Sequence, residues 1–262
     1  MKIITFLTDF GMKSGYVAQM KGVVSSITDA RLVDITHDIK PHDIREGAFV
    51  LQTTVSHFPV GTVHVAVVDP GVGTDRKGII VTTKSHVLVG PDNGLLMPAA
   101  HFLGDFTVYE ITNVKYMLNS VSNTFHGRDI FAPVAAHIIR GVAFEKIGRK
   151  TSDFVDMDFG RGEISDKNAT GKVIYIDRFG NIITNINGTR LGEVLGYGKK
   201  IMVFIGDKQK EVIFVKSYGF VKKGQILATI GSSNYLEIGI NKGNAAEKLN
   251  VKPDDEIKII FG

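Results

Sequence analysis

Groups able to move protons recur in this chain just after short apolar runs. Asp9 follows the first run, in TDFG. His37 and Asp38 follow the second, in DITHDI. Asp69 follows the third, in VDPGVGTDR, and Asp92 and Asn93 lie in GPDNG. Carboxylates and imidazoles serve as general acids and bases or as metal ligands. Arg76 lies seven residues beyond Asp69 in the same glycine-rich loop. Folded back on Asp69, it would hold that carboxylate ionised. His126 sits in NTFHGRDIFAP, beside Gly127, Arg128 and Asp129 and ahead of a helical pattern whose amino end favours anions. Each residue also has an ordinary use. An Asp after a strand turns or caps the chain, and Arg128 with Asp129 can simply pair.

The elements that position these groups follow from hydrophobic periodicity. Lys2–Leu7, Leu32–Ile35, Val63–Val68, Gly78–Thr83 and His86–Val89 read as strands. Tyr16, Val17, Met20, Val23, Val24 and Ile27 recur at helical spacing, as do Ile44, Ala48, Leu51 and Val55, with Asp43 as N-cap. A further helix runs from Ile130 to Ile139. Strands alternating with helices predict an α/β domain with a largely parallel sheet. Such sheets bind ligands outside the carboxyl ends of their strands, the edge where the acids would gather.

The second half reads as seven short strands: Lys172–Ile176, Asn181–Asn185, Lys200–Ile205, Glu211–Val215, Gln225–Ile230, Tyr235–Ile240 and Asp255–Ile260. Gly, Asn and Asp separate them, which predicts an antiparallel β-domain, a barrel or a sandwich. The expected division is 1–165 and 171–262, with the boundary in the polar stretch from Gly160 to Gly171.

Composition narrows the function. The chain of 262 residues contains no cysteine, so disulfides, thiolate metal sites and cysteine nucleophiles are excluded. Residues 171–262 carry 14 Lys and Arg against nine Asp and Glu, but the lysines are scattered, and no nucleic-acid partner is expected. Asp9 cuts the opening apolar run Met1–Leu7 too early for a signal sequence, and no stretch is long enough for a membrane span. The expected location is the cytoplasm. Walker A, G-x-G-x-x-G after the first strand, H-E-x-x-H and G-x-S-x-G are all missing.

Ordered strings along the chain resemble the S-adenosylmethionine hydroxide adenosyltransferases, relatives of the fluorinases and chlorinases. They are TDFG at Thr8–Gly11, GYVAQMKG at Gly15–Gly22, DITHDI at Asp34–Ile39 and VDPGVGT at Val68–Thr74. GPDNGL at Gly90–Leu95, FHGRDIFAP at Phe125–Pro133 and IDRFGNIITNI at Ile176–Ile186 complete the set. The resemblance implies hydrolysis of S-adenosylmethionine to adenosine and methionine, with no metal or other cofactor. It implies an Asp–Arg–His trio at Asp69, Arg76 and His126, with Asp9 on the ribose hydroxyls. Asp177 and Asn181 would reach the methionine amine and the adenine, Tyr218 would stack on adenine, and Ser232 or Ser233 would meet the methionine end. It further implies a homotrimer, with the substrate held between the first domain of one subunit and the second of its neighbour.

Within the resemblance, two departures matter. The longer insertion of the halogenating branch is missing, which favours water over halide as nucleophile. Ser232-Ser233-Asn234 stands where the fluorinase pattern has an Arg after the methionine-binding Ser, which leaves the carboxylate contact open. Other readings fit the same residue types. Asp9, Asp38, Asp69, Asp92, Asn93 and His126 suit a two-metal phosphohydrolase. An adenosine-binding sensor would use the same pocket without turnover, and a halogenase would use chloride as nucleophile.

Overall fold

The computed structural model describes residues 2–262. Met1, the first residue of the opening apolar run, lies outside them. The chain divides into two compact units, one ending at Asp158 and one running from Phe159 to Gly262.

The first unit is built on seven strands. They are β1 (Ile3–Thr8), β2 (Arg31–Thr36), β3 (Val63–Val67), β4 (Gly78–Thr83), β5 (Val87–Pro91), β6 (Phe106–Ile111) and β7 (Gly148–Thr151). Their order in the sheet is β2-β1-β3-β5-β4-β6-β7. The pairs β1–β2, β1–β3 and β3–β5 are parallel, whereas β4–β5, β4–β6 and β6–β7 are antiparallel. Five strands therefore run one way and only β4 and β7 the other, so the sheet is mixed but mostly parallel. Helices α1 (Tyr16–Ile27), α2 (Ile44–Val55), α3 (Met97–Leu103) and α4 (Ala132–Ile139) cover it. Every residue of β1 is buried, as a strand flanked by neighbours and covered on both faces requires. Met20 and Val24 of α1 join Ala132, Val134 and Ala135 of α4 over Ile4, Phe6, Val65 and Ile80. On α2, Gly47 sits against Leu7, Val68 and Leu95, and Asp43 accepts the Glu46 N–H as its N-cap.

This topology sets the site. The carboxyl ends of β1, β2, β3 and β5 share one edge. Because β4 runs against β5, the residues just before β4, Arg76 and Lys77, return to that same edge. A Lys77 carbonyl accepting the Asp92 N–H ties the two loops together there.

The second unit contains β8 (Glu163–Ile164), β9 (Asn168–Ile176), β10 (Ile182–Asn187), β11 (Lys200–Ile205), β12 (Lys208–Phe214), β13 (Ile226–Ile230), β14 (Tyr235–Ile240) and β15 (Glu256–Ile260). The order β10-β14-β13-β12-β11-β15-β9 closes on itself through β9–β10. It is a seven-stranded barrel, not a sandwich. Pairing is antiparallel except at β12–β13, which are parallel. A parallel pair needs a crossover, and the segment between these strands supplies it, carrying a short 3₁₀ turn at Tyr218–Phe220. Short helices at Gly188–Val194 and Ala245–Leu249 help fill the barrel ends, their Leu191, Ala245 and Leu249 joining Val173, Ile182, Val203, Phe214, Leu236 and Ile238 in the core.

Candidate active site

In the first unit, Asp69, Arg76 and His126 meet. Arg76 Nη2 donates to Asp69 Oδ2 at 2.7 Å and to His126 Nδ1 at 2.9 Å. Nη1 donates to the Lys77 carbonyl at 2.8 Å, and the guanidinium carbon lies 5.4 Å from the centre of the Phe131 ring. The side chains of Arg76 and Asp69 are only 8% and 5% exposed, so their ion pair is shielded from water.

Local sequence explains the meeting. Gly73 has φ +78, and a Cβ there would collide with the carbonyl oxygen of Asn123. Only glycine lets the Asp69–Arg76 loop close on the strand of chain leading to His126. After His126, residues Gly127–Phe131 form a π turn that continues into α4. Such insertions are enriched at functional sites because they re-aim the residues beside them. Gly127 fits against the Met20 sulfur, and Phe131 is wholly buried beneath Arg76. Arg128 and Asp129 pair with each other, and Asp129 also accepts the Ser122 N–H.

Proton positions follow from the donors. A guanidinium only donates, so His126 Nδ1 must accept and the neutral ring carries its proton on Nε2. Burial, and then the Arg76 charge, push the His126 pKa below its ordinary value, against the pull of Asp69 and Asp129. Burial raises that of Asp69, opposed by Arg76 and His126. Asp69 Oδ1 is buried without a hydrogen bond of ordinary geometry, although the Gly71 amide lies near enough to favour the ionised form. The trio therefore keeps two donors outside its own bonds, His126 Nε2–H and the buried Arg76 Nε–H, and one acceptor, the buried Asp69 Oδ1.

Asp9 lies on the same edge, and its Oδ2 accepts the His42 N–H at 2.9 Å. Sequence reasoning did not single out the aromatic residues beside these groups. Phe10, next to Asp9, and Phe125, next to His126, have ring centres 5.7 Å apart, and Tyr16 meets both edge-on. Asp92 accepts the Val155 N–H, while the side chain of Asn93 bonds the Val68 carbonyl and the Leu95 N–H. Asp38 is exposed. Among the described residues, no three His, Cys, Asp or Glu side chains are grouped as a metal ion would need.

The second unit gathers the other candidates. Asp177 Oδ1 accepts the N–H groups of Phe179 and Asn181, and Oδ2 accepts from Asn181 Nδ2 at 2.8 Å, which closes the β9–β10 turn. Asn181 Oδ1 is left buried and unpartnered. Tyr218 donates its hydroxyl to Glu237, a residue absent from the sequence reading. Its outward position in YLEIGI reads as solvated, yet it is 8% exposed. Ser232 and Ser233 form the β13–β14 turn, the first exposed and the second half-buried.

A mostly parallel α/β unit followed by a closed β-barrel, with Asp, Arg and His joined at the sheet edge, defines the class of protein. Residues 4–148 match the SAM hydroxide adenosyltransferase N-terminal domain and residues 171–258 the C-terminal domain. The chain belongs to the SAM hydroxide adenosyltransferase family. It is 42% identical over 270 residues to the (R)-S-adenosyl-L-methionine hydrolase of Methanocaldococcus jannaschii, covering 99% of this chain and 96% of that protein. A crystal structure of an uncharacterized conserved protein from Thermotoga maritima superposes with a TM-score of 0.91 at 38% identity, covering 98% of this chain and 99% of that one. A fluorinase from Nocardia brasiliensis is 28% identical over 99% of this chain and 97% of its own length.

Proposed function

We propose that this enzyme hydrolyses S-adenosyl-L-methionine to adenosine and L-methionine, with Asp69, Arg76 and His126 as its catalytic residues. The observation that carries the reading is the Arg76 bridge, in which one guanidinium nitrogen holds both Asp69 and His126 while Asp69 Oδ1 keeps no partner. Water oxygen attacks C5′ of the substrate, the C5′–S bond breaks, and its electron pair remains on sulfur as the neutral thioether of methionine. The sulfonium leaves without protonation, so the chemistry calls for no metal. Asp69 Oδ1 takes the water proton and later returns it to solvent. The His126 Nε2–H orients the water, and Arg76 keeps Asp69 ionised. Holding water behind C5′ contributes roughly 7–11 kcal/mol in favourable cases.

Asp9 is assigned to the ribose hydroxyls, Asp177 and Asn181 to the methionine amine and adenine, Tyr218 to the adenine face, and Ser232 or Ser233 to the methionine end. The finer reading of assembly is a cytoplasmic homotrimer with two half-sites meeting between neighbouring copies. Light scattering supports it with a trimer mass and contradicts it with a monomer mass.

The sulfonium is itself a stereocentre, and the archaeal relative's name specifies its (R) form. The test is to supply each sulfonium epimer separately and chromatograph the products with and without EDTA. Adenosine and methionine in equal amounts, faster from the (R) epimer and indifferent to EDTA, support the proposal. No adenosine above the enzyme-free background, or release abolished by EDTA, contradicts it.

A further inference from the structure

His37, in the DITHDI string, lies behind the Asp9 loop and closes a chain of contacts there. Its Nδ1 meets Thr8 Oγ1 at 2.8 Å, where Thr8 is wholly buried and His37 is 3% exposed. On the other side of the ring, Nε2 lies 3.1 Å from Asp34 Oδ1, in a contact bent away from hydrogen-bond geometry. Asp34 Oδ2 in turn accepts from Lys21 Nζ of α1 at 2.6 Å. The β1–β2 register slips by one residue between Phe6 and Leu7. Such bulges re-aim the side chains beyond them, and the next residues of the two strands are those that lead to Thr8 and His37.

The donors give this chain one direction. Thr8 Oγ1 accepts the Phe10 N–H at 3.2 Å, and its own hydroxyl proton goes to His37 Nδ1. A neutral ring then carries its proton on Nε2, facing Asp34, whereas the opposite tautomer would turn a ring lone pair toward a carboxylate. Burial opposes the ionisation of Asp34, but Lys21 and then His37 hold its pKa below the ordinary value. The main chain of His37 adds a second tie, its carbonyl accepting the Gly11 N–H at 2.8 Å. Gly11, at φ +66, lets the loop turn back to meet that carbonyl. His37 therefore brackets Asp9: its ring holds the residue before, and its carbonyl the residue two after. Between the two ties, Asp9 Oδ2 accepts the His42 N–H.

We propose that His37 is a positioning residue for substrate binding: by holding Thr8 and Gly11 on either side of Asp9, it fixes the Asp9 carboxylate where the two ribose hydroxyls meet it. The proposal rests on the assignment of Asp9 to that diol. A carboxylate that accepts two hydroxyl protons at once tolerates little displacement, because both bonds depend on its orientation. Three strings of the sequence, TDFG, GYVAQMKG and DITHDI, meet in this one chain of contacts through Thr8, Lys21, Asp34 and His37.

The test compares adenosine with 2′,3′-dideoxyadenosine, which lacks both hydroxyls. Calorimetry on the full chain measures the two affinities for wild type, His37→Phe, His37→Asn, Thr8→Val and Asp9→Asn. Phe keeps a ring without the nitrogens, Asn returns an acceptor near the Nδ1 position, and Val replaces the Thr8 hydroxyl with a methyl. Charged hydrogen bonds to the diol predict a wild-type preference for adenosine of about tenfold or more. His37→Phe and Thr8→Val should each cut that preference at least about threefold, with 2′,3′-dideoxyadenosine bound as by wild type, and His37→Asn should recover part of it. Added to Asp9→Asn, His37→Phe should remove no further preference, since both act on one contact. Equal weakening of both nucleosides would make His37 a support for the fold alone and overturn the proposal. So would an unchanged preference in His37→Phe and Thr8→Val, or equal binding of the two nucleosides by wild type. Thr8→Val carries the comparison should His37→Phe fail to fold. Turnover of S-adenosylmethionine is measured in parallel. A wild type whose preference for adenosine depends on Asp9 and His37, but which releases no adenosine from S-adenosylmethionine, refutes the hydrolase reading and leaves the His37 assignment standing.

Discussion

Arg76 decides the protonation of both its neighbours. By donating to His126 Nδ1 it places the ring proton on Nε2, and by donating to Asp69 Oδ2 it leaves Oδ1 outside the ion pair. Asp69→Asn should therefore lower kcat by about 10²–10⁴ with substrate still bound, and His126→Ala should act on the same scale. Near wild-type turnover in both variants would refute the trio. Arg76→Lys keeps a positive charge but not the fork that reaches two partners, so kcat should fall there too. The pH profile carries a second expectation. Asp69 must be ionised and His126 neutral, and both conditions are lost as pH falls. His126 is displaced below the ordinary imidazole pKa and Asp69 above the ordinary carboxylate one. The acid limb of kcat/KM should thus lie above the ordinary carboxylate value of about 3.9; a limb at or below that value would contradict the burial of Asp69. Asp69 and Arg76 stood out in the sequence because they share one short loop. Glu237 did not, because an acid at an outward strand position looks solvated until the crossover that covers it is seen.

Among the elements, the loop closed by Gly73 and the π turn after His126 set the trio's geometry. Gly73→Ala meets both a positive φ and the Asn123 carbonyl, so it should lower kcat at least about tenfold, because small misplacements at a reacting centre are costly. Unchanged kcat would show that the loop can shift freely. Strand β3 holds a separate expectation. His64, wholly buried, bonds Thr5 Oγ1 at 2.7 Å and faces His86 Nδ1 at 3.3 Å. Burial and then the His86 charge lower its pKa to about 3. The unfolded chain binds this proton below about 6.5 and the folded chain does not, so stability is lost as pH falls from about 6.5 toward 3, by at most about 1.4 kcal/mol per unit from this group. Denaturant titrations at pH 7 and pH 5 should show a smaller acid loss for His64→Gln than for wild type; identical losses would contradict this. Strands β1 to β5 and helices α1 and α2 were legible because alternation and helical spacing are strong there. β6, β7 and α3 were not read: FTVYEI is a partly exposed strand with weak alternation, GRKT a four-residue edge strand, and MPAAHFL spans under two turns. The parallel β12–β13 pair was likewise invisible, because strand direction depends on the crossover and not on the pattern of either strand.

At the scale of the whole molecule, the chain joins a mostly parallel α/β unit that carries Asp69, Arg76 and His126 to a closed β-barrel that carries Asp177, Asn181 and Tyr218. No helix among the described residues is long and apolar enough to cross a membrane. Strands alternating with helices, then strands alone, already marked the change of architecture in the sequence, and the barrel's closure through β9–β10 is the part that only pairing reveals. The account stands on water, rather than halide or a metal-bound nucleophile, attacking C5′. The most direct measurement is turnover of S-adenosyl-L-methionine in ¹⁸O-labelled water with chloride and EDTA present, read by mass spectrometry. The account predicts adenosine labelled at its 5′ oxygen in proportion to the water, with no halogenated nucleoside. Unlabelled adenosine, a 5′-chlorinated product, or loss of all turnover to EDTA would contradict it.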